Sequence, residues 1–361
     1  MSRPADQAVR AEVVVDLDRL RHNVRLLADR AGEAETMAVV KADAYGHGAV
    51  PVARAALEAG ATWLGACSLD EALALREAGI TAPVLSWLDT PDTDLRRGVE
   101  AGIDLGVSSV EQLRGLTGAR LHLKVDTGLN RNGCPPDRWA ELVSAAIASG
   151  NEVHAIWSHL ARADEPGHPS VDEQAKRFAE AHLLCLAAGL SPRRHLANSA
   201  ATLTRPDLHF DLVRVGIAMY GLNPVPQQAE DLRPVMSFRS SVVLRKDIRA
   251  GESVSYGHTW TAEGDTGLAL VPVGYADGVP RLLSGRMAVG IGGKRYPVRG
   301  RVCMDQLVVD TLGDDVPLGA EVVLFGPGGP TATEWADTIG TIDYEIVTGM
   351  RRPRVRRRYA G

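Results

Sequence analysis

From about Met37 to about Gly216, short β-branched runs alternate with Ala-, Leu- and Arg-rich amphipathic stretches. No other feature restricts the fold as strongly. Parallel strands need a long crossover between them, usually a helix, so this alternation specifies a parallel α/β domain rather than a run of hairpins. The strand candidates are Met37 to Val40, Trp63 to Ala66, Pro83 to Trp87, Ile103 to Val107, Leu121 to Val125, Val153 to Trp157, His195 to Ala197 and Leu212 to Val215. Eight βα units in about 200 residues predict a (β/α)8 TIM-type barrel, with a doubly wound sheet as the alternative. Ser68, with Glu71 three residues later, forms a capping box for a helix over Leu69 to Ala78, and Gly79 suits its end.

After about Arg233 the texture changes. Ser237 to Ile248, Gly267 to Val273, Met287 to Ile291, Arg301 to Val309 and Glu321 to Leu324 read as strands separated by Gly- and Pro-containing turns. A Thr331 to Glu334 capping box starts a short helix. The expected division is therefore an α/β barrel over residues 1–233, followed by a mostly β domain over residues 234–361.

Composition excludes several functions. The 361 residues carry 40 basic and 45 acidic side chains, a net charge of −5, so no global positive field recruits nucleic acid. Six arginines lie between Arg351 and Arg358, but alternation through Val355 and Tyr359 reads as a terminal strand with a charged face. No stretch approaches 18 apolar residues and the amino terminus lacks an apolar export core, so neither membrane spanning nor export is expected, and the reading is cytoplasmic. Cys67, Cys134, Cys185 and Cys303 form no CxxC pair and indicate neither a zinc site nor a disulfide framework. Only five lysines occur: Lys41, Lys124, Lys176, Lys246 and Lys294. Chemistry that needs a primary amine has few candidates.

Lys41 follows the first barrel strand in VVKADAYGHG, and barrel enzymes place their reactive groups at the C-terminal ends of strands. A lysine at the end of an apolar run must be paired or have a lowered pKa, which suits an amine that condenses with a carbonyl. Arg131 follows strand five, His159 strand six, Ser199 strand seven, and Gly216 with Ile217 strand eight, so these residues converge on one barrel mouth. Ser199 can offer a hydroxyl and a helix N-terminus to a phosphate, and Gly216 permits close backbone approach. Arg214 alternates with Val213 and Val215 and should face opposite to them.

The chain here resembles the alanine racemases, fold-type III enzymes that use pyridoxal 5'-phosphate. The likeness runs through VVKADAYGHG, KVDTGLNRNG, SHLARAD, HLANSAA, VRVGIAMYG, VSYGHTW, VGYADG, RVCMDQ and TIDYE, in order and across both expected domains. It implies that Lys41 holds the cofactor and that Tyr45, Asn198, Ser199, Gly216, Ile217 and Tyr344 surround it, with Tyr45 and Tyr344 on the phosphate. His159 matches the histidine beside the ring, and Arg214 the arginine at the pyridine nitrogen. An arginine there would not readily protonate that nitrogen, so the ring should be a weaker electron sink than beside an aspartate. Arg131 matches the arginine near the substrate carboxylate, and Lys124 a lysine that is often carbamylated. Met304, Asp305, Tyr275 and Tyr344 match positions lining the substrate entrance.

Racemisation removes a proton from one face of the α-carbon and returns one to the other. By resemblance Lys41 serves one face and Tyr256, from the second domain, the other. An unperturbed tyrosine titrates near 10 and needs a cationic network; His195 and Arg214 match the residues that connect it to the cofactor. The resemblance further implies a homodimer with shared active sites, alanine as substrate, and D-alanine supplied to the cell wall. A fold-type III decarboxylase would share the barrel and the lysine, but VSYGHTW and RVCMDQ match racemases. A broader-specificity racemase remains open, because no residue settles serine against alanine.

Overall fold

The computed structural model describes residues 9–228 and 230–361, which divide into two compact units: Arg19–Arg233, and Pro234–Gly361 together with the described residues up to Asp18. In the first, eight parallel strands are built from β2 (Glu35–Val39), β3 (Trp63–Ala66), β4 (Val84–Ser86), β5 (Asp104–Val107), β6 (Arg120–Lys124), β7 (Glu152–Trp157), β8 (Arg193–His195) and β9 (Leu212–Val215). They follow the order β8-β7-β6-β5-β4-β3-β2-β9. Arg214 N–H donates to Ala197 O at 3.0 Å and Asp211 N–H to Arg194 O at 3.1 Å, which nearly closes the ring between β9 and β8. The barrel expectation holds, and the doubly wound alternative falls.

Inside the barrel Met37, Trp63, Leu85 and Leu212 form one buried cluster against Trp87. Gly65 is required there: a Cβ at that position would meet the Trp87 ring at 2.8 Å and the Met37 sulfur at 2.9 Å. Outside, the helix Leu17–Ala31 buries Leu20, Val24, Leu27 and Ala31, the 3.6-residue stripe that covers a sheet. Ser68 Oγ accepts from Glu71 N–H at 3.3 Å as expected, and Gly79 takes the left-handed φ of +80° just past the helix Leu69–Glu77. The Glu71 side chain departs from the capping box: its carboxylate accepts from Cys67 N–H and from Ala42 N–H, both at 2.8 Å. It therefore ties this helix to the turn after Lys41.

The β unit holds a nine-stranded sheet in the order β11-β14-β17-β16-β15-β18-β10-β1-β19. Its strands are β1 (Glu12–Asp16), β10 (Met236–Ser241), β11 (Leu244–Ile248), β14 (Thr266–Val271), β15 (Ala288–Ile291), β16 (Lys294–Arg299), β17 (Leu307–Asp310), β18 (Glu321–Phe325) and β19 (Arg356–Ala360), with β12 (Ser253–Val254) and β13 (Trp260–Thr261) pairing separately. Three expectations are corrected. The barrel was expected to begin at residue 1, yet β1 pairs with β10 and β19 in the sheet of the β unit, and four of its five residues are buried. The single strand expected over Ser237 to Ile248 is two, because the chain breaks at Val242–Val243 and its halves join different neighbours. Arg301 to Val309 is strand only from Leu307; the preceding residues form a loop. The arginine-rich segment does end in a strand, β19, parallel to β1, where Glu12 pairs with Arg356 and Arg358.

Candidate active site

Lys41 opens the turn that leaves β2, and the four residues after it are left-handed: Ala42, Asp43, Ala44 and Tyr45 have φ of 53°, 54°, 54° and 52°. Such a run costs about 1–2 kcal/mol per L-residue and persists only where the surroundings hold it. Glu71 grips Ala42 N–H; Asp43 Oδ1 accepts from Ala49 N–H at 2.8 Å; and Tyr45 packs on Tyr220 with ring centroids 4.8 Å apart. The turn reverses the chain abruptly, leaving Lys41 at the mouth. Burial lowers the Lys41 pKa; the thiol of Cys67 opposes this, and the cations Arg131 and Arg214 add to it. A larger share of the amine is thus neutral and nucleophilic at neutral pH.

Lys124, at the end of β6, sits over the Trp157 ring at 4.3 Å, and burial followed by Arg214, Arg131 and Lys41 brings its amine down to about 8. Arg131 follows on an exposed loop pinned by Cys134 N–H to Lys124 O and Asp126 N–H to Cys134 O, each 2.8 Å. Burial and the cations Arg214, Arg131, Lys124 and Lys41 hold His159 well below its usual range, so it is neutral. Four cations gathered at one mouth repel each other, and an anionic ligand relieves that repulsion.

Arg214 points into the barrel, as the alternation on β9 predicts. One terminal nitrogen donates to His195 Nδ1 at 3.0 Å and to His195 O at 2.8 Å; the other donates to Ser158 O at 2.7 Å and Leu196 O at 3.1 Å, with His159 Nδ1 at 3.4 Å. Four of its five N–H groups are committed, leaving Nε–H without a partner among the described residues. Burial lowers its pKa to about 9, which leaves it protonated at neutral pH. Among the described residues no carboxylate pairs with it.

Beside it, Asn198 caps the helix Ser199–Thr204 by accepting from Ala201 N–H at 3.0 Å. Ser199 Oγ accepts from Gly216 N–H at 2.8 Å and from Ala218 N–H at 3.4 Å, drawing together the turns after β8 and β9. Ile217 is buried and begins a one-turn helix, Ile217–Tyr220. A Cβ on Gly216 would meet the Tyr45 hydroxyl at 2.7 Å, so this glycine keeps the tyrosine seated against the turn.

His195 corrects an expectation. It is fully buried, with Nδ1 on Arg214 and Nε2 2.9 Å from His122 Nδ1, so neither nitrogen is left to connect a tyrosine to the cofactor. His159 is the ring at the mouth that meets Arg214. His122 and Asp104, which hold His195 from below, were missed in the sequence reading. Their signal was a polar residue inside an otherwise apolar strand, with His122 two residues from Lys124 and thus on the same face.

In the β unit, Tyr256 is 72% exposed on a loop where Ser255, Gly257 and His258 all have positive φ. Ser255 Oγ donates to Arg301 O at 2.8 Å, and Tyr275 N–H and Ala276 N–H donate to Cys303 O and Met304 O, both at 3.0 Å. The segments carrying Tyr256, Tyr275, Met304 and Asp305 are thus laced together. Asp305 is held by Arg354 at 2.6 Å. Tyr344 is half-buried on the helix Asp343–Thr348.

A half-buried amine at the end of a barrel strand, a cationic mouth, a hydroxyl-backed pair of turns and an arginine with one free donor fit the aldehyde, phosphate and ring nitrogen of pyridoxal phosphate. They define a pyridoxal-phosphate barrel enzyme. The alanine racemase N-terminal domain family matches residues 15–224 and the alanine racemase C-terminal domain family residues 235–359. The alanine racemase of Salinispora arenicola is 55% identical, covering 97% of this chain and 98% of its own, and that of Mycobacterium avium is 54% identical, covering 95% and 93%. The crystal structure of alanine racemase from D-cycloserine producing Streptomyces lavendulae superposes with a TM-score of 0.95 at 48% identity, covering 100% of this chain and 98% of that one. The chain belongs to the alanine racemase family, whose members are pyridoxal-phosphate-dependent isomerases.

Proposed function

We propose that this chain interconverts L- and D-alanine by two-base proton transfer, in active sites shared between two copies of the chain. The observation that carries the reading is the half-buried Lys41 amine facing a cationic mouth in which Arg214 supplies the free donor. Bound pyridoxal phosphate withdraws electrons from the substrate α-carbon and acidifies its C–H bond. Lys41 holds the cofactor covalently and then moves the proton on one face. Tyr256 of the partner subunit moves it on the other, which agrees with its exposure on its own β unit. Ser199, Gly216, Ile217, Asn198, Tyr45 and Tyr344 bind the phosphate end. Arg131 orients the substrate carboxylate, and Tyr275, Met304 and Asp305 shape the entrance. Arg214, held by neutral partners, leaves the ring nitrogen unprotonated, which limits side reactions such as transamination.

No helix among the described residues is long and apolar enough to cross a membrane. A cytoplasmic supply of D-alanine for peptidoglycan is the physiological role we assign. The test is borohydride reduction of the purified protein, peptide mapping, and turnover of L-alanine, L-serine and L-lysine with chiral product analysis. The reduced cofactor is expected on Lys41 and D-alanine as the dominant product. Label on Lys124, Lys176, Lys246 or Lys294, or no D-alanine, rejects the reading.

A further inference from the structure

Beneath the mouth, four buried side chains on or beside four barrel strands form one continuous hydrogen-bond wire. Arg214 lies 3.0 Å from His195 Nδ1, His195 Nε2 lies 2.9 Å from His122 Nδ1, and His122 Nε2 lies 3.0 Å from Asp104 Oδ2. None of the four is more than 5% exposed. A guanidinium only donates and a carboxylate only accepts, so both ends have a fixed sense. His195 Nδ1 must therefore accept, which puts its proton on Nε2. His122 Nδ1 must accept that proton's bond, which puts its own proton on Nε2, facing Asp104. Each imidazole is neutral and has one permitted tautomer. Burial favours that neutral state in both rings, and Arg214 adds to it at His195. The Trp157 ring, stacked on His195 at 5.3 Å and 12°, fixes the plane of the middle link.

We propose that Asp104 and His122 are positioning residues for racemisation: Asp104 anchors a one-way wire that locks His195, and through it Arg214, in the orientation that aims Nε–H at the cofactor ring. The inference rests on the racemase reading for its purpose, though the wire itself can be read without turnover. Reversing His195 would set an N–H against the Arg214 donor and force the guanidinium to turn away. Asp104, His122 and His154 also stand close enough together to suggest metal ligands. Both nitrogens of His122 are spent in the wire, however, and the Arg120 guanidinium, 3.5 Å from Asp104 and 3.1 Å from His154, already supplies the cation.

The variants follow from donor and acceptor counts. Asp104→Asn presents an amide that can donate or accept, so the wire loses its direction. His122→Phe breaks it, whereas His122→Gln keeps one acceptor and one donor. The readouts are 15N NMR of histidine-labelled holoenzyme, which reports the His195 tautomer, the absorption spectrum of the bound cofactor, and kcat and KM for alanine. Wild type is expected to carry the His195 proton on Nε2. Asp104→Asn and His122→Phe are expected to mix the tautomers, shift the cofactor band and lower kcat tenfold or more with KM within twofold. His122→Gln should restore kcat to within threefold of wild type. If His122→Phe does not fold, Asp104→Asn and His122→Gln decide by the same measurements. An unchanged tautomer or an unchanged kcat in Asp104→Asn overturns the proposal. Absence of racemisation in wild type would instead sink the racemase reading, while the tautomer signal would still judge the wire.

Discussion

Replacing Ala42 by glycine should stabilise this protein, although in a right-handed helix the same change destabilises by about 1 kcal/mol. At φ of 53°, an L-residue carries about 1–2 kcal/mol of Cβ–carbonyl repulsion that glycine lacks. Against this, glycine makes the unfolded chain more flexible, which costs about 0.5–1 kcal/mol. The difference is a gain of about 0–1.5 kcal/mol. Ala42 is the position to choose because it is only half-buried, whereas Ala44 is fully buried and would also lose methyl packing. Ala42→Val should go the other way, losing more than about 2 kcal/mol, since a β-branched residue tolerates positive φ worst. Urea unfolding at fixed cofactor concentration reads both. In thermal melts, each 1 kcal/mol should move Tm by about 2–4 °C. A freer turn should also aim Lys41 less well, so kcat is expected to fall threefold or more even as stability rises. A loss of 1 kcal/mol or more in Ala42→Gly, comparable to an ordinary helical site, would show that the left-handed turn is not strained.

Two further outcomes are expected. With its amine brought down to about 8, Lys124 is about half neutral at pH 8, where an unperturbed lysine is well under about 1% neutral; 13C-bicarbonate should give a carbamate NMR signal that fades as pH falls below 7 and is missing in Lys124→Gln. Survival of that signal in the variant would place it elsewhere. Mixed dimers of Lys41→Ala and Tyr256→Ala chains should contain one doubly broken and one intact site, so random mixing restores about a quarter of wild-type sites from two inactive proteins. No recovery despite demonstrated subunit exchange would put both residues to work within one chain.

What the sequence shows is governed by periodicity. Seven of the barrel strands are legible as largely apolar runs between helices, and Ser68 and Thr331 announce their helices because N-caps are local chemistry. The eighth, β8, is Arg193–His195 and shares only His195 with the strand expected over His195 to Ala197, because two arginines give no apolar signal. β1 was missed for the converse reason: its partners, β10 and β19, lie more than 200 residues away, and no local pattern distinguishes a strand of one unit from a strand of another. The site divides in the same way. Lys41, Ser199, Arg214 and Gly216 follow from strand ends and alternation, but the role expected of His195 failed because hydrogen-bond partners are set by three-dimensional register.

His122 and Asp104 illustrate what register adds. Each alone is a polar residue in an apolar strand, and nothing in either segment specifies a partner. The parallel pairing of β5, β6 and β7 sets Gly106 beside His122 and His122 beside Ala155, small neighbours that leave the imidazole room inside the barrel. The same inward face then presents Lys124 one step higher, at the mouth. One strand thus supplies both a wire residue in the interior and a cation at the opening, so the chemistry at the mouth and the polar core beneath it are set by a single two-residue repeat.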